Sequence, residues 1–134
     1  MKEPHWLPKE AVLAMHAASL ARFGGIDGIR EPGLFDSALS KPKQLFHYEE
    51  PDLFALAAAY ACGIVNNHPF LDGNKRTGFL AAYTFLGING LQLVASEEEA
   101  ALQILALADS RLSDAALADW LSCSCSIKPI KSIT

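Results

Sequence analysis

The chain has 134 residues, of which 51% are hydrophobic and 19% charged, with a formal net charge of -4. That length holds one domain with a core of its own, and the composition excludes a disordered chain. The acidic balance leans against a nucleic-acid binder, which carries a basic surplus on one face, although a net count leaves local basic patches open.

The start, Met1 to Trp6, has no apolar core of the signal-peptide type. Lys9 to Phe23 after Pro8 reads as a first helix. Val12, Leu13, Met15, His16, Ser19, Leu20 and Phe23 recur at spacings of three and four and form one apolar stripe. Gly24-Gly25 stops it, and Ile26 to Arg30 is a connector. Pro32 suits a first helical turn, and a short helix continues through Phe35 to Leu39 until Pro42 interrupts it. Lys43 to Tyr48 reads either as a short extended piece or hairpin or as loop, since six residues are too few for periodicity to decide.

Pro51-Asp52 opens a helix to about Val65 that is apolar on nearly every face, as expected of a helix surrounded by others. It is shorter than the roughly 20 residues of a membrane span. Asn74 begins a second apolar helix, ended by Gly87-Ile88-Asn89-Gly90. Leu91 to Val94 is a brief extended link. Ser96 to Glu99 is a capping box for a helix to about Leu107, and Ser113 caps a last helix to about Leu121. Ser122 to Thr134 reads as a polar, flexible tail. Cys62, Cys123 and Cys125 make no disulfide framework and point to a reducing cytosol; Cys123-Ser124-Cys125 lacks the second Cys/His pair of a metal site. The expectation is one all-helical domain over residues 1–121 with a tail over 122–134, cytoplasmic, with no membrane association and no direct nucleic-acid contact.

Between the two apolar helices lies a polar island, Asn67-His68-Pro69-Phe70-Leu71-Asp72-Gly73-Asn74-Lys75-Arg76-Thr77. Loops held by rigid helices are where binding and catalytic groups are placed. The first N–H groups of a helix lack internal partners and attract anions. Gly73 lets the chain turn into the helix and lets a phosphate approach the backbone. Lys75 and Arg76 stand where cations are unfavourable, which calls for an anion to offset them; the alternative is that both point into solvent. Asp72 is an ordinary turn or cap residue, or the single carboxylate that magnesium takes beside nucleotide phosphates. Asn74 can cap the helix, hold a phosphate oxygen, or both. His68, four residues before Asp72, is structural or is the base that takes a proton from an attacking hydroxyl. Phe70 faces inward and anchors the loop. His5, His16 and His47 have no such company and receive no chemistry.

His68 to Thr77 resembles the signature loop of the Fic/Doc family, in its death-on-curing toxin branch. Gly28-Ile29-Arg30-Glu31-Pro32-Gly33-Leu34, Ser37-Ala38-Leu39 and Gly87-Ile88-Asn89-Gly90 are similar to other segments of that branch, so the resemblance covers roughly residues 6 to 121. It implies the helical Fic fold with a small β-hairpin flap, Mg-ATP (ATP and Mg2+) as cofactor, and transfer to a protein hydroxyl. His68 would be the general base, Asp72 the magnesium ligand, and Gly73, Asn74, Lys75 and Arg76 the phosphate site. Lys43 to Tyr48, with Leu45 and Phe46, would be the flap that clamps the target chain in extended form.

Two departures from most Fic enzymes bear on the product. Those enzymes transfer AMP and have glycine where Lys75 stands and a second arginine where Phe79 stands. Lysine fills the room glycine leaves, and phenylalanine cannot grip a phosphate. Both changes match the Doc branch, which the resemblance describes as kinase-like: the nucleotide lies reversed, and the phosphorus in line with the hydroxyl is the terminal one. The implied target is a threonine of the elongation factor that delivers aminoacyl-tRNA, and the implied partner is a Phd-like antitoxin whose C-terminal segment folds on the toxin. AMP transfer, a catalytically silent partner-binding protein and a plain helical domain with a capped turn are the competing readings.

Overall fold

The computed structural model describes residues 2–127. Its elements are α1 (Lys9–Phe23), α2 (Pro32–Glu49), α3 (Leu53–Asn67), α4 (Asn74–Ile88), β1 (Leu91–Leu93), α5 (Glu97–Ala108), α6 (Asp114–Ser124) and β2 (Cys125–Ile127). The fold is a helical assembly with one small antiparallel pair. Among the described residues no helix is long and apolar enough to cross a membrane.

α3 is the hub. Asp52 caps it, its carboxylate accepting from the Ala55 N–H at 2.8 Å. Every residue from Leu56 to Val65 is buried. Alanines and a glycine on several faces let α2, α4 and α6 approach closely, and their inward side chains (Phe35 and Ala38, Ala81 and Phe85, Leu117 and Leu121) fill the space. Each fully buried large side chain there contributes about 1.5–3 kcal/mol relative to exposure. Ahead of α1, Trp6 stacks on Phe85 and meets Phe46 edge-on, and the Leu7 N–H donates to the buried Tyr60 hydroxyl at 3.1 Å. The Asn89 side chain ties this segment down, accepting from His5 N and donating to His5 O.

α2 corrects one expectation. The helix does not stop at Pro42 but carries it, buried, and runs on to Glu49. A helix-interior proline forfeits the bond to the carbonyl four residues back, here that of Ala38. α3 packs on that same carbonyl: a Cβ added at Gly63 would lie 2.9 Å from the Ala38 oxygen. The bond is lost where a neighbouring helix covers the gap and the proline ring fills core. Lys43 to Tyr48 is therefore helix and no extended flap, and Leu45 and Phe46 are half-buried against the core. α2 ends at Glu50, left-handed at φ 46°, just ahead of Pro51.

The antiparallel pair lies elsewhere. β1 pairs with β2 in the register Leu91↔Ile127, Gln92↔Ser126, Leu93↔Cys125. Ser122 to Ser124 complete α6 and Cys125 to Ile127 form β2, so the first part of the expected tail is built into the fold. A three-residue strand has too little alternation to be read locally, and its partner lies more than 30 residues away. The remainder of that tail, 128–134, lies outside the described residues.

Candidate active site

The loop between α3 and α4 is held from three sides. α3 closes on His68, whose N–H donates to the Ile64 carbonyl at 3.1 Å and whose backbone is left-handed, φ 52° and ψ 55°. From the connector between α1 and α2, Arg30 N donates to Pro69 O at 2.6 Å and Gly28 O accepts from Leu71 N at 3.0 Å, forming a bridge of Ile29 with Phe70. The Arg30 guanidinium caps the end of α3, Nε donating to His68 O at 2.8 Å and Nη2 to Asn67 O at 3.0 Å. The Asn67 amide in turn donates to Leu34 O.

Phe70 is fully buried and stands against Phe35 and His16. Asn74 grips its backbone with both ends of the amide: Oδ1 accepts from Phe70 N at 3.0 Å and Nδ2 donates to Phe70 O at 2.9 Å. The side chain of Asn74 is buried and committed to the loop. It neither caps α4 nor reaches outward, so what Asn74 can offer an anion is its backbone N–H. The α4 cap is Gly73, at φ 79° and ψ 16°, a conformation that costs other residues about 1–2 kcal/mol.

Asp72 is exposed, with each carboxylate oxygen taking a backbone N–H: Oδ2 from Ile26 at 3.2 Å and Oδ1 from Gly73 at 2.9 Å. Those two donors, Ile26 first, hold its carboxyl below the usual range, and Arg76 and His16 add to the effect. Gly25 makes the approach feasible, because a Cβ there would stand 2.8 Å from Asp72 Oδ2. The carboxylate is thus fixed, ionised at neutral pH and open to solvent.

The N-terminus of α4 has no side-chain cap, and Thr77 N is the first amide to bond back, to Gly73 O. Among the described residues the N–H groups of Asn74, Lys75 and Arg76 find no acceptor. Lys75 is exposed and pairs with no carboxylate among them. Arg76 is half-buried and tied to α1: Nε donates to Ser19 Oγ at 2.7 Å, Nη2 to Gly24 O at 3.1 Å, and the guanidinium lies 5.1 Å from the centre of the Phe23 ring. Two of its five N–H donors are committed in this way, and Nη2 lies on the side of the α4 terminus, 3.6 Å from where a Cβ at Gly73 would stand. The His68 side chain is exposed, and among the described residues no protein group hydrogen-bonds its ring.

Phe79 lines an apolar groove of about 410 Å³ between α1, α4 and α5, with Phe23, Leu80 and Ile104, while Arg22 and Lys75 stand among its polar groups. Leu45 and Phe46, with Phe46 against Trp6, belong to the core side of α2 and form no extended edge beside this loop.

Two residues of the site escape sequence reading. His16 falls on the apolar stripe of α1 and Arg30 in a connector, and each meets the loop only through contacts 37 to 56 positions away. For His16 a faint signal exists, a polar ring on an otherwise apolar stripe. For Arg30 the signal is its place in Gly28 to Leu34, a segment that carries the family resemblance without assigning the arginine a role.

A carboxylate of this kind fits magnesium only in part-share: Asp72 supplies one fixed anionic ligand, and among the described residues no cluster of three or more His, Cys, Asp or Glu side chains forms a resident metal site. That is the donor set expected where phosphates bring the remaining ligands.

Comparison with known proteins follows the same lines. The model of the Fic/DOC family matches residues 6–86. The chain is similar to the "Protein kinase doc" of Escherichia phage P1, 36% identical over 118 residues that make up 87% of this chain and 92% of that protein. It is also similar to the "Toxin Doc" of Mycolicibacterium smegmatis, 44% identical over 92 residues, 67% of this chain and 68% of the relative.

Proposed function

The chain belongs to the Fic/Doc family, and from that premise we propose that it is a protein-modifying toxin that transfers the terminal phosphoryl group of Mg-ATP to a protein hydroxyl. The names of its relatives, a protein kinase and a toxin, support the class. The observation that carries the reading is the α4 N-terminus: three amides without acceptors and a Lys75 without a carboxylate partner among the described residues, and the fixed carboxylate of Asp72 beside them.

In this reading the triphosphate lies against the N–H groups of Asn74, Lys75 and Arg76, where the helix dipole favours negative charge. Gly73 leaves the approach open, Lys75 adds a point charge, and Arg76, steered by Ser19 and Gly24 through two of its five donors, adds a fixed charge with N–H groups to spare. Asp72 would hold the magnesium ion, which supplies neutralisation of phosphate charge when bound. His68 takes the proton from the attacking hydroxyl, and its exposed ring, without a hydrogen bond among the described residues, suits that task. Little covalent chemistry is asked of the protein; positioning and electrostatics do the rest. Phe79 and Lys75, in place of arginine and glycine, favour transfer of the terminal phosphorus over AMP transfer.

The hydroxyl is that of a threonine of the elongation factor that delivers aminoacyl-tRNA, and the setting is the cytoplasm. A Phd-like antitoxin partner would hold the toxin in check; the apolar groove of α1, α4 and α5 supports a partner that brings an apolar helix face. Incubation with magnesium, the elongation factor and ATP labelled at the gamma phosphate is expected to label the factor, and His68→Ala to abolish it. Label arriving only from the alpha phosphate establishes AMP transfer instead. Absence of both nucleotide binding and growth arrest on expression without antitoxin leaves the catalytically silent reading.

A further inference from the structure

The geometry points to Arg30 as a positioning residue that holds His68 in its working backbone conformation; this rests on the reading of His68 as the base. Three consecutive carbonyls end α3 and open the loop, and Arg30 donates to all of them: Nη2 to Asn67 O, Nε to His68 O, and its own backbone N–H to Pro69 O.

The need for such a clamp follows from the local structure. The last carbonyls of a helix have no intrahelical partner, and helices that end in a left-handed residue generally use glycine there. α3 uses His68 instead, at φ 52°. A residue with a Cβ pays for that conformation and keeps it only where its surroundings impose it. The Ile64 carbonyl takes the His68 N–H, and Arg30 takes the His68 carbonyl and both carbonyls flanking it. A cation also suits a helix C-terminus. The peptide planes on both sides of His68 are thereby fixed, and the imidazole leaves the loop from a set Cα with no hydrogen bond to its ring among the described residues.

Arg30 is brought there by its connector, since the bridge of Ile29 with Phe70 and the bond from Leu71 N to Gly28 O dock the segment on the loop. The guanidinium is exposed and outside the folding core, so its loss leaves the fold standing and frees only the end of α3. A lysine keeps the charge but has no planar fork to span two adjacent carbonyls.

The test uses the full chain with Mg-ATP and the elongation factor, comparing wild type, Arg30→Ala, Arg30→Lys and His68→Ala. Turnover number, nucleotide affinity by calorimetry, and the backbone coupling and chemical shifts of His68 by NMR are measured. Arg30→Ala is expected to lower kcat by about tenfold or more through misplacement of the base, to leave nucleotide affinity unchanged, and to erase the positive-φ signature of His68. Arg30→Lys falls between, and added guanidinium ion restores part of the Arg30→Ala rate. Wild-type kcat in Arg30→Ala, with His68→Ala inactive, overturns the proposal. An active His68→Ala would show instead that the base is misassigned; in that case a left-handed His68 persisting in Arg30→Ala overturns the clamp on its own, and its disappearance upholds it.

Discussion

The imidazole of His16 lies flat on the ring of Phe70, centroids 3.8 Å apart and 9° from parallel, while Nε2 stands 2.8 Å from the Asp72 carbonyl. A carbonyl only accepts, so Nε2 carries the proton. One side chain of α1 therefore fixes both the anchor of the loop and the peptide that leads into α4. His16 is 4% exposed, and replacing it by alanine opens a cavity and removes the donor. His16→Ala should cost about 2–4 kcal/mol, the scale of deleting a large buried side chain. His16→Phe keeps the stack and loses only the hydrogen bond, at about 1 kcal/mol. Urea unfolding of the three proteins checks the order; equal midpoints for wild type and His16→Ala would refute this role of His16.

How much of this was legible beforehand depended on how local the cause was. α1, α3 and α4 announce themselves, because each is a long run closed by Gly24, His68-Pro69 or Asn89-Gly90, and the caps Asp52, Ser96 and Ser113 act within three residues. Pro42 reads as a helix break because what offsets its lost hydrogen bond is α3, a partner 21 positions on at Gly63. β2 was hidden because its strand has meaning only beside β1. The signature loop was visible as a motif, but the division of labour within it was not. That Asn74 and Arg76 spend their side chains on Phe70 and α1 follows from packing at a distance.

Gly63 and Gly87 provide a contrast within one fold. A Cβ at Gly63 would meet the Ala38 backbone at 2.9 Å, and two helices would have to separate. At Gly87, in the last turn of α4, an added Cβ would meet no described residue within 4 Å apart from the helix's own neighbouring backbone. Gly63→Ala should destabilise by about 1–3 kcal/mol through overpacking. Gly87→Ala should stabilise by about 0.5–1 kcal/mol, since alanine loses less backbone freedom in a helix. Thermal unfolding of both variants reads the two signs, and stabilisation by Gly63→Ala would mean α2 and α3 are not packed as described.

Cys62 sits in the core of α3, and burial, then Asp114 as hydrogen-bond partner and as charge, pushes its thiol far above the usual range. The thiolate is the reactive species, so Cys62 should resist alkylation in the folded protein. Cys123 is exposed and should be modified first. Peptide mapping after a timed iodoacetamide exposure, with and without denaturant, separates them; alkylation of Cys62 at the rate of Cys123 in native buffer would contradict the buried placement.

Asp72 sets a pH dependence with a definite sign. Its folded-state carboxyl is held below its unfolded value of about 3.9 by the N–H groups of Ile26 and Gly73. A group shifted in this direction stabilises the fold above the unfolded value and loses that contribution as pH falls through the folded one. The stability difference between wild type and Asp72→Asn should thus hold steady from neutral pH down to about 5 and shrink below about 4. Gly25→Ala should act on the same carboxylate from the other side. The new Cβ would lie 2.8 Å from Oδ2, displacing it from Ile26 N and raising the titration midpoint toward the ordinary value. NMR titration of the Asp72 side-chain carbon measures both shifts, and a wild-type midpoint at or above the ordinary value would remove the basis for a carboxylate held ready for a cation.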